Sequence, residues 1–472
     1  MEILSAERFP RRDPQALLGF LEYCASVAEQ KGRPQLASIS LAVKHIDPLA
    51  VLESIYEPDA LHFYLEQPQA DDAVAGAEAI LSQTFSGTER FAQSQLWLDS
   101  VWEDTIAIGD LDKPQSGPRA FGAFTFSPQA EPGGFAPGTL FIPRWQVARC
   151  RGLSTAVANV PVLPGQPVAP LAEKVLAAHA KFSAFDYRQL QAEEEAPPTV
   201  FAREDHGGAA WFPEAVARAL EDIRARRYRK IVLARTVELE AERAFDPLET
   251  LNAFRETYPS CYAFSFSDAG ERSFIGATPE RLARVSKNQL QTEALAGSAP
   301  RGSRARDDAR LGAALLTSEK DLREHQHVIE SIQRRLGGIG LEPAAEGAPR
   351  LLKLPNVQHL LTPITAELRP EVSLLSAVDA LHPTPAVGGQ PREAAVARLS
   401  EIENFDRGLY AGTLGWLDYR GEGEFVVSIR SALIEGARAR LYAGAGIVEG
   451  SQPQKEKAET DLKLRAMLDT LR

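Results

Sequence analysis

The order of predicted strands and helices is the feature that most constrains how this 472-residue chain can fold. Strand-like and helical patterns are mixed along the chain without the strict alternation of βαβ units, which is typical of an α+β protein with antiparallel sheets. Helices are predicted over residues 14–30, 166–192, 212–227, 306–336, 372–381, 391–401 and 453–471. Strands are predicted over residues 121–126, 140–148, 230–239, 261–267, 272–277, 281–285, 290–294, 408–418, 424–433 and 440–443.

The composition and net charge of the chain limit the kinds of molecule that it is expected to bind. The chain is 44% hydrophobic and 25% charged, which is enough apolar material for a large core or two packed units. Its formal net charge of −12 argues against non-specific binding to nucleic acid or to an anionic membrane surface. An anionic substrate would therefore need local positive charge or a metal ion at its site.

The cysteines and the N-terminal residues predict the cellular compartment of the protein. Cys24, Cys150 and Cys261 are few and widely spaced, as expected in a reducing environment, and show no metal-ligand spacing. The first residues lack the long apolar segment of a signal peptide, and no run of about 18 apolar residues occurs. We expect a cytoplasmic protein.

An acidic segment with two prolines, QAEEEAPPTV at 191–200, is predicted to be a surface connection between two parts of the chain. The portion before it, residues 1–200, carries no motif with a mechanistic meaning. We expect this divergent N-terminal portion to contribute to the same α+β fold as residues 205–472, which we expect to form the catalytic region.

Carboxylates border the apolar face of one predicted helix. Ser318, followed three residues later by Asp321, is an N-terminal capping signal, and the helix continues to Gly337. Asp321 and Glu324 lie at the edge of its apolar stripe. Carboxylates at the edge of a buried face are costly unless they are paired or bind a cation, and Mg²⁺ suits such oxygen ligands. The alternative is a set of solvated charge pairs such as Lys320 with Glu324.

The C-terminal helix repeats this arrangement. Glu456, Glu459 and Lys463 flank its apolar stripe, and Pro453 suits its first turn. A solvated pair between Glu459 and Lys463 is again the alternative to a metal site.

Short motifs spread over the last 270 or so residues carry a family resemblance when they are taken together and in order. They are KIVLAR from Lys230, IGATPERL from Ile275, LAGS from Leu295, SEKDLREH from Ser318, LHPTPAVGG from Leu381, FDRGLY from Phe405, VVSIR from Val426, AGAGI from Ala443 and KAETDLKL from Lys457. The set resembles the chorismate-utilising enzymes: isochorismate synthases, salicylate synthases, and component I of anthranilate synthase and of aminodeoxychorismate synthase. The resemblance covers about residues 205–472. It implies the fold of anthranilate synthase component I, with large antiparallel sheets packed as a sandwich with flanking helices, and one Mg²⁺ site.

The resemblance also implies the metal ligands. Glu324 and Glu459 match the family's Mg²⁺ ligands, and Asp321 and Glu456 match nearby supporting acids. The family often has Glu at the position of Asp321.

Two further matches concern proton transfer. Lys230 matches the lysine that activates water, and Glu280 matches the general acid; burial would lower the pKa of a lysine and raise that of a carboxyl, as these roles require. From the residues alone, Lys230 could be an ordinary lysine at a strand edge, and Thr278-Pro279-Glu280 could be the start of a helix.

Chorismate has two carboxylates, and the family holds the one that is not on Mg²⁺ with an arginine, a tyrosine and backbone amides. The matching substrate-binding residues here are Gly297, Ser298, His359, Ala386, Tyr410, Arg430, Gly444 and Lys463. The alternative to substrate binding is a purely structural role: a core arginine paired to an acid, a tyrosine at a strand end, a turn glycine and a histidine whose hydrogen bonds are made within the protein.

Three positions narrow the expected product. Lys230 stands where anthranilate synthases have Gln, Ala296 where aminodeoxychorismate synthases tend to have a covalent lysine, and Ala386 where salicylate synthases typically have Thr. The resemblance therefore implies an isomerase that converts chorismate to isochorismate for menaquinone or siderophore biosynthesis, as a monomer or weak homodimer without a glutaminase subunit. The rivals are a salicylate synthase, an aminating enzyme and a catalytically silent homologue that binds a partner.

Overall fold

The structure is a computed structural model that describes residues 1–4, 13–55, 57, 59–129, 131–183, 196–270, 272–355 and 357–472. Its helices are α1 (Pro14–Lys31), α2 (Pro48–Ser54), α3 (Arg90–Glu103), α4 (Ala169–Ser183), α5 (Trp211–Arg224), α6 (Pro247–Thr257), α7 (Ala305–Thr317), α8 (Glu319–Gly338), α9 (Leu374–Leu381), α10 (Arg392–Ile402) and α11 (Pro453–Leu468). Its strands are β1 (Glu2–Ile3), β2 (Gln35–Val43), β3 (His62–Gln67), β4 (Asp72–Phe85), β5 (Thr105–Gly109), β6 (Arg119–Phe124), β7 (Gly138–Cys150), β8 (Leu153–Val162), β9 (Val200–Asp205), β10 (Lys230–Ala241), β11 (Tyr262–Asp268), β12 (Arg272–Thr278), β13 (Arg281–Ser286), β14 (Gln289–Pro300), β15 (Ala344–Ala345), β16 (Arg350–Lys353), β17 (Val357–Glu367), β18 (Gly389–Gln390), β19 (Thr413–Asp418), β20 (Gly423–Val427), β21 (Ser431–Glu435) and β22 (Arg438–Val448).

The strands form a branched, mainly antiparallel sheet. One branch runs β1-β5-β2-β8-β7-β4-β3-β11-β12-β21-β22-β10-β9, with β18 also against β10. Among the strand pairs of the described residues, only β1–β5 and β2–β5 are parallel. The second branch leaves β7 and runs β6-β19-β20-β13-β14-β17, with β15 and β16 on the far side of β17. This arrangement confirms the predicted α+β class.

The two branches meet in one apolar core. Phe63 of β3 and Phe121 of β6 belong to different branches, and their ring centroids are 5.0 Å apart. Both side chains are fully buried. Packing of sheet faces through such aromatic contacts buries a large apolar area and holds the branches in a fixed relation.

Two strand pairs pass from one branch to the other at a shared corner. β12 pairs with β21 in the first branch, while their continuations β13 and β20 pair in the second. The linking residues are 279–280 on one side and Ser428–Arg430 on the other. The single strand predicted over 424–433 is therefore wrong, because Arg430 has a left-handed backbone (φ 53°) that ends the regular pairing. The possible helix start at Thr278 is in fact this corner.

Other element boundaries also differ from the prediction. The helix predicted over 306–336 is broken at Ser318, whose extended backbone (ψ 110°) separates α7 from α8. The strand predicted over 408–418 begins only at Thr413, since Gly408 and Ala411 have positive φ. The end of the helix predicted over 166–192 lies outside the described residues. The elements that were not predicted are α2, α3, α6, β1 to β5, β8, β9 and β15 to β18.

N-terminal strands lie within the same sheet as the C-terminal ones. β3 pairs with β11, and β6 pairs with β19 along its whole length. The boundary drawn near residue 200 stays a prediction. No described helix has the length and apolar character needed to cross a membrane.

Candidate active site

A cavity of about 290 Å³ opens at the corner between the branches. Its volume is near the lower end of the range of about 300–1,000 Å³ typical of small-molecule sites. Every residue predicted for the site except Asp321 lines it: Lys230, Glu280, Gly297, Ser298, Glu324, His359, Ala386, Tyr410, Arg430, Gly444, Glu456, Glu459 and Lys463. Residues from distant parts of the chain thus converge on one space.

Lys230 is the first residue of β10 and reaches into this cavity. Its side chain is 14% exposed, and its Nζ donates a hydrogen bond to Glu324 Oε1 at 2.9 Å. Gly446 on the neighbouring strand β22 makes room for it, because a Cβ at position 446 would lie 3.1 Å from Lys230 Cε. Gly446 was not predicted as a site residue, although it belongs to the AGAGI motif.

Glu280 lies at the corner between β12 and β13 and is 6% exposed. Its carbonyl accepts a hydrogen bond from the backbone N–H of Val427, which joins the two crossing strands. Thr384 Oγ1 donates to Glu280 Oε1 at 3.2 Å. Burial raises the pKa of Glu280 to about 7, against the opposing effects of the Thr384 hydrogen bond and the charge of Lys230. A carboxyl of this kind holds a proton for much of the time at neutral pH.

The two predicted metal ligands come from different helices. Glu324 on α8 pairs with Lys230 rather than with Lys320 on its own helix, whereas Glu459 on α11 does pair with Lys463, at 2.7 Å. The charge of Lys230 lowers the pKa of Glu324. The charge pair named as the alternative is present on α11, and the one named on α8 is not.

The donor set has the chemistry that Mg²⁺ requires. Glu324, Glu456 and Glu459 present carboxylates to the same cavity, and burial, with a smaller effect of Glu459, raises the pKa of Glu456. Within the described residues, no group of three or more His, Cys, Asp and Glu is arranged to hold a metal ion. Mg²⁺ commonly takes one or two protein carboxylates and completes its shell with water and substrate oxygens, so Glu324 and Glu459 fit this ion.

Asp321 lies behind the cavity wall. Its backbone N–H donates to Ser318 Oγ at 3.3 Å, and its Oδ2 accepts a hydrogen bond from the same hydroxyl. Its Cβ lies 3.3 Å from where a Cβ on Gly297 would be, so it packs under the LAGS turn. The structure thus shows Asp321 as part of the N-terminal cap of α8.

One end of the cavity is cationic. Lys463 Nζ donates to the carbonyl of Gly444 at 2.7 Å, and the charges of Lys463 and Arg430 both act on His359. Burial, helped by these charges, lowers the pKa of His359 to about 3 and keeps the ring neutral at pH 7. Its Nδ1 lies 2.8 Å from Ser298 Oγ. Two cations beside a neutral hydrogen-bonding ring are suited to a carboxylate ligand.

Tyr410 forms a wall of this end. Its ring stacks on Tyr442 with centroids 5.1 Å apart and an interplanar angle of 10°. A Cβ at position 444 would lie 2.8 Å from the Tyr410 hydroxyl, which is why Gly444 suits this position. Lining residues that the sequence did not predict include Val232, Leu295, Lys320, Val387, Ile429, Tyr442, Gly446, Val448 and Ser451. Several of them adjoin the predicted motifs in sequence.

Comparison with known proteins assigns the family. Residues 20–472 match the family model described as "Chorismate binding enzyme". The chain is 33% identical over 454 residues to isochorismate synthase MenF of Bacillus subtilis (strain 168), covering 94% of this chain and 95% of that protein. It is 35% identical over 467 residues to the salicylate biosynthesis isochorismate synthase of Pseudomonas aeruginosa, covering 97% and 94%.

Solved structures agree in fold. The menaquinone-specific isochorismate synthase MenF of Escherichia coli superimposes with a TM-score of 0.79 at 27% identity, over 95% of this chain and 100% of that one. Anthranilate synthase component I of Streptococcus pneumoniae has the same fold, with a TM-score of 0.68 at 21% identity over 84% and 92%. On the family match, the two full-length relatives and the shared fold, the chain belongs to the chorismate-binding enzymes.

Proposed function

We propose that this protein is an isochorismate synthase, an isomerase that adds water to C2 of chorismate and expels the C4 hydroxyl. The observation that carries the proposal is the convergence of Lys230 and the buried, protonatable Glu280 on one cavity with a cationic end. The reaction needs a base and an acid, and this cavity offers one of each. The relatives with near-complete overlap bear the name isochorismate synthase, which supports the same activity.

Glu280 would act as the general acid. Its raised pKa keeps a proton on the carboxyl near neutral pH, ready for transfer to the departing C4 hydroxyl. The hydrogen bond from Thr384 holds one carboxyl oxygen and so orients the other.

Lys230, in its neutral amine form, would take the proton from the water that attacks C2. Its Nζ is anchored at one point by Glu324, and the absence of a side chain at Gly446 leaves space beside it. One proton moves from water to Lys230 and one from Glu280 to the leaving hydroxide, so the chemical step is balanced. Proton exchange with solvent would then restore both groups.

Arg430, Tyr410 and the backbone at Gly444 would hold one carboxylate of chorismate. An arginine can form two parallel hydrogen bonds to a carboxylate, which fixes its orientation. Lys463 adds a second positive charge there, and neutral His359 can hydrogen-bond the substrate without charge repulsion. Gly297 and Ser298 would form the turn above the ring, and Ala386 would face it.

Glu324 and Glu459 would hold Mg²⁺, with Asp321 and Glu456 supporting them. Bound there, the ion would supply positive charge for the substrate's other carboxylate. Asp321 would act only through the position of α8, since it does not line the cavity.

Product choice and pathway are part of the proposal. Lys230, Ala296 and Ala386 favour release of isochorismate over an aminated product or salicylate. We place the enzyme in menaquinone biosynthesis, with siderophore biosynthesis as the other use, in the cytoplasm and without a glutaminase subunit. The solved relative from E. coli is described as menaquinone-specific, which agrees with this choice.

Chromatography of the products formed from chorismate and Mg²⁺ tests the proposal. Purified protein should release isochorismate, and adding ammonium should not change the product. Salicylate with pyruvate as main products would make the protein a salicylate synthase, and anthranilate or aminodeoxychorismate would make it an aminating enzyme. No turnover under any of these conditions would indicate a silent homologue.

A further inference from the structure

A second cavity, of about 950 Å³, lies apart from the candidate active site and shares no lining residue with it. It is bordered by the start of β6, the end of β19, the turn joining β7 to β8, and the hairpin that joins β13 to β14. Its volume lies within the range of small-molecule sites and exceeds that of the catalytic cavity. None of the roles described above uses it.

Arg119 gives this cavity an unusual buried charge. The residue is 1% exposed, and its Nε and Nη1 atoms have no hydrogen-bond partner among the described residues. The guanidinium lies over the ring of Trp416, with its carbon 4.5 Å from the ring centroid. Stacking covers one face of the guanidinium but leaves the donors at its edge unpaired. Buried charged donors without an acceptor are unfavourable, so this edge calls for an anionic acceptor.

Two acids of the lining accept backbone N–H groups, although the charges of Asp418 and Asp72 also act on Arg119. Asp418 Oδ1 accepts the backbone N–H groups of Arg420 and Glu422, at 2.8 and 3.0 Å. Glu422 Oε1 accepts the backbone N–H of Lys287 at 2.8 Å. Lysines and arginines outnumber acids in the lining by six to four, in a chain whose net charge is −12. The cavity is therefore locally cationic on an acidic protein.

We propose that this cavity binds a small organic carboxylate, held by the edge of Arg119. Arginine pairs with carboxylates through two parallel hydrogen bonds, and the Trp416 ring fixes the plane in which they form. Arg284 and Arg420 also line the cavity and place positive charge near the ligand, with Arg284 Nη2 lying 3.5 Å from Asp72 Oδ2. The volume favours an organic anion over a small inorganic one, which would leave most of the space unfilled.

Cys150 provides a direct reporter of occupancy. It lines the same cavity and is partly exposed, whereas Cys24 and Cys261 are 0% and 2% exposed. In the native protein a maleimide should label Cys150, and the Cys150→Ser variant should remain unlabelled on the same timescale. Labelling does not depend on catalytic turnover, so its result tests this cavity whether or not the proposed function is correct.

The experiment measures the rate of maleimide labelling of Cys150 as the concentration of benzoate, or of inorganic phosphate, is increased at constant ionic strength. Benzoate should slow labelling saturably, and Arg119→Gln should raise the half-protecting concentration at least about tenfold. Arg284→Gln, at a less buried position, should also raise the half-protecting concentration. This variant replaces Arg119→Gln as the test if Arg119→Gln shows no cooperative unfolding and is therefore misfolded. Arg144→Gln removes the same charge outside the cavity and should change nothing.

Three outcomes would overturn the assignment. They are no saturable protection of the native protein by benzoate, equal protection in the native protein and in both cavity variants, and protection by phosphate but not by benzoate. The last would mean an inorganic anion site rather than a site for an organic carboxylate.

Discussion

At the residue scale, Glu280 shows how position creates chemical function. The carboxyl is buried at a strand corner and accepts a hydrogen bond from Thr384. Burial disfavours the ionised form, whereas the Thr384 hydroxyl and the Lys230 charge favour it. The resulting pKa of about 7 is suited to proton donation at neutral pH.

Glu280→Gln and Lys230→Ala should lower kcat by about 10²- to 10⁴-fold, the usual contribution of a general acid or base. Each variant removes a proton donor or acceptor and leaves Arg430 and Tyr410 in place, so KM should change much less. Initial-rate kinetics with chorismate would measure both constants. A raised KM with unchanged kcat would instead make these two residues binding groups.

Glu280 should also make folding stability depend on pH. Its pKa is raised from 4.5 to about 7 in the folded state, so the folded protein binds the proton more tightly than the unfolded chain. The resulting contribution to stability is fully present below about pH 4.5 and is lost as the pH rises through about 7. Glu280→Gln should therefore gain stability relative to the native protein between pH 5 and 8, by up to about 3 kcal/mol.

Denaturant unfolding at pH 5, 6, 7 and 8 measures this difference. Thr384→Val is the matched variant: it removes the hydrogen bond that favours the ionised form and so raises the folded-state pKa of Glu280 further, and the loss of stability should therefore continue to a higher pH than in the native protein. A constant difference between Glu280→Gln and native protein across the series would contradict the raised pKa.

At the element scale, two features place side chains in the cavity. One is the pairing of β22 with β10, and the other is the pair of helices α8 and α11. The glycines of β22 face Lys230 and Tyr410, and each helix contributes one predicted metal ligand.

Gly444→Ala should lower chorismate binding, because its Cβ would lie 2.8 Å from the Tyr410 hydroxyl and would push that ring from the substrate. The double variant Gly444→Ala with Tyr410→Phe removes the clashing oxygen. Adding Gly444→Ala to Tyr410→Phe should therefore raise KM much less than Gly444→Ala raises it in the native protein. If the two changes are simply additive, the clash is not the cause.

Glu324→Gln and Glu459→Gln should each weaken Mg²⁺ binding at least about tenfold, since losing even an outer-shell partner commonly costs that much. Calorimetric titration with MgCl₂ measures the affinity. Glu330→Gln, on α8 but with its side chain 54% exposed, is the matched control and should bind Mg²⁺ normally. Near-normal affinity and rate at low Mg²⁺ in both ligand variants would refute the metal assignment.

At the scale of the whole molecule, the N-terminal portion supplies neighbours for C-terminal strands. β3 covers the edge of β11, β6 covers the edge of β19, and Phe121 contributes to the shared core. Removing these strands would expose two strand edges and the apolar face beneath them.

A fragment of residues 205–472 should therefore fail to fold by itself and should aggregate, although it contains every predicted catalytic residue. Expression of the fragment, with the full chain as control, followed by size-exclusion chromatography and a thermal melt, would check this. A soluble fragment with a cooperative melt would show that residues 205–472 form an independent unit.

The sequence alone determined the fold class, many of the elements after residue 205 and the family, because hydrophobic period, capping residues and short motifs are local properties of the chain. Ser318 as a helix start and the α+β class were predicted in this way. Boundaries failed where a few residues change direction, as at Ser428–Arg430, because left-handed backbone leaves no apolar period to detect.

Only the tertiary structure decided which groups meet. Lys230 and Glu280 are far apart in sequence, and no local pattern shows that they share a cavity; the crossing of β12–β13 and β20–β21 brings this about. The same holds for Thr384 against Glu280, for Gly446 beside Lys230, and for the unpaired edge of Arg119. Contacts of this kind depend on how sheets pack, and packing is set by the sum of long-range contacts that a one-dimensional pattern does not contain.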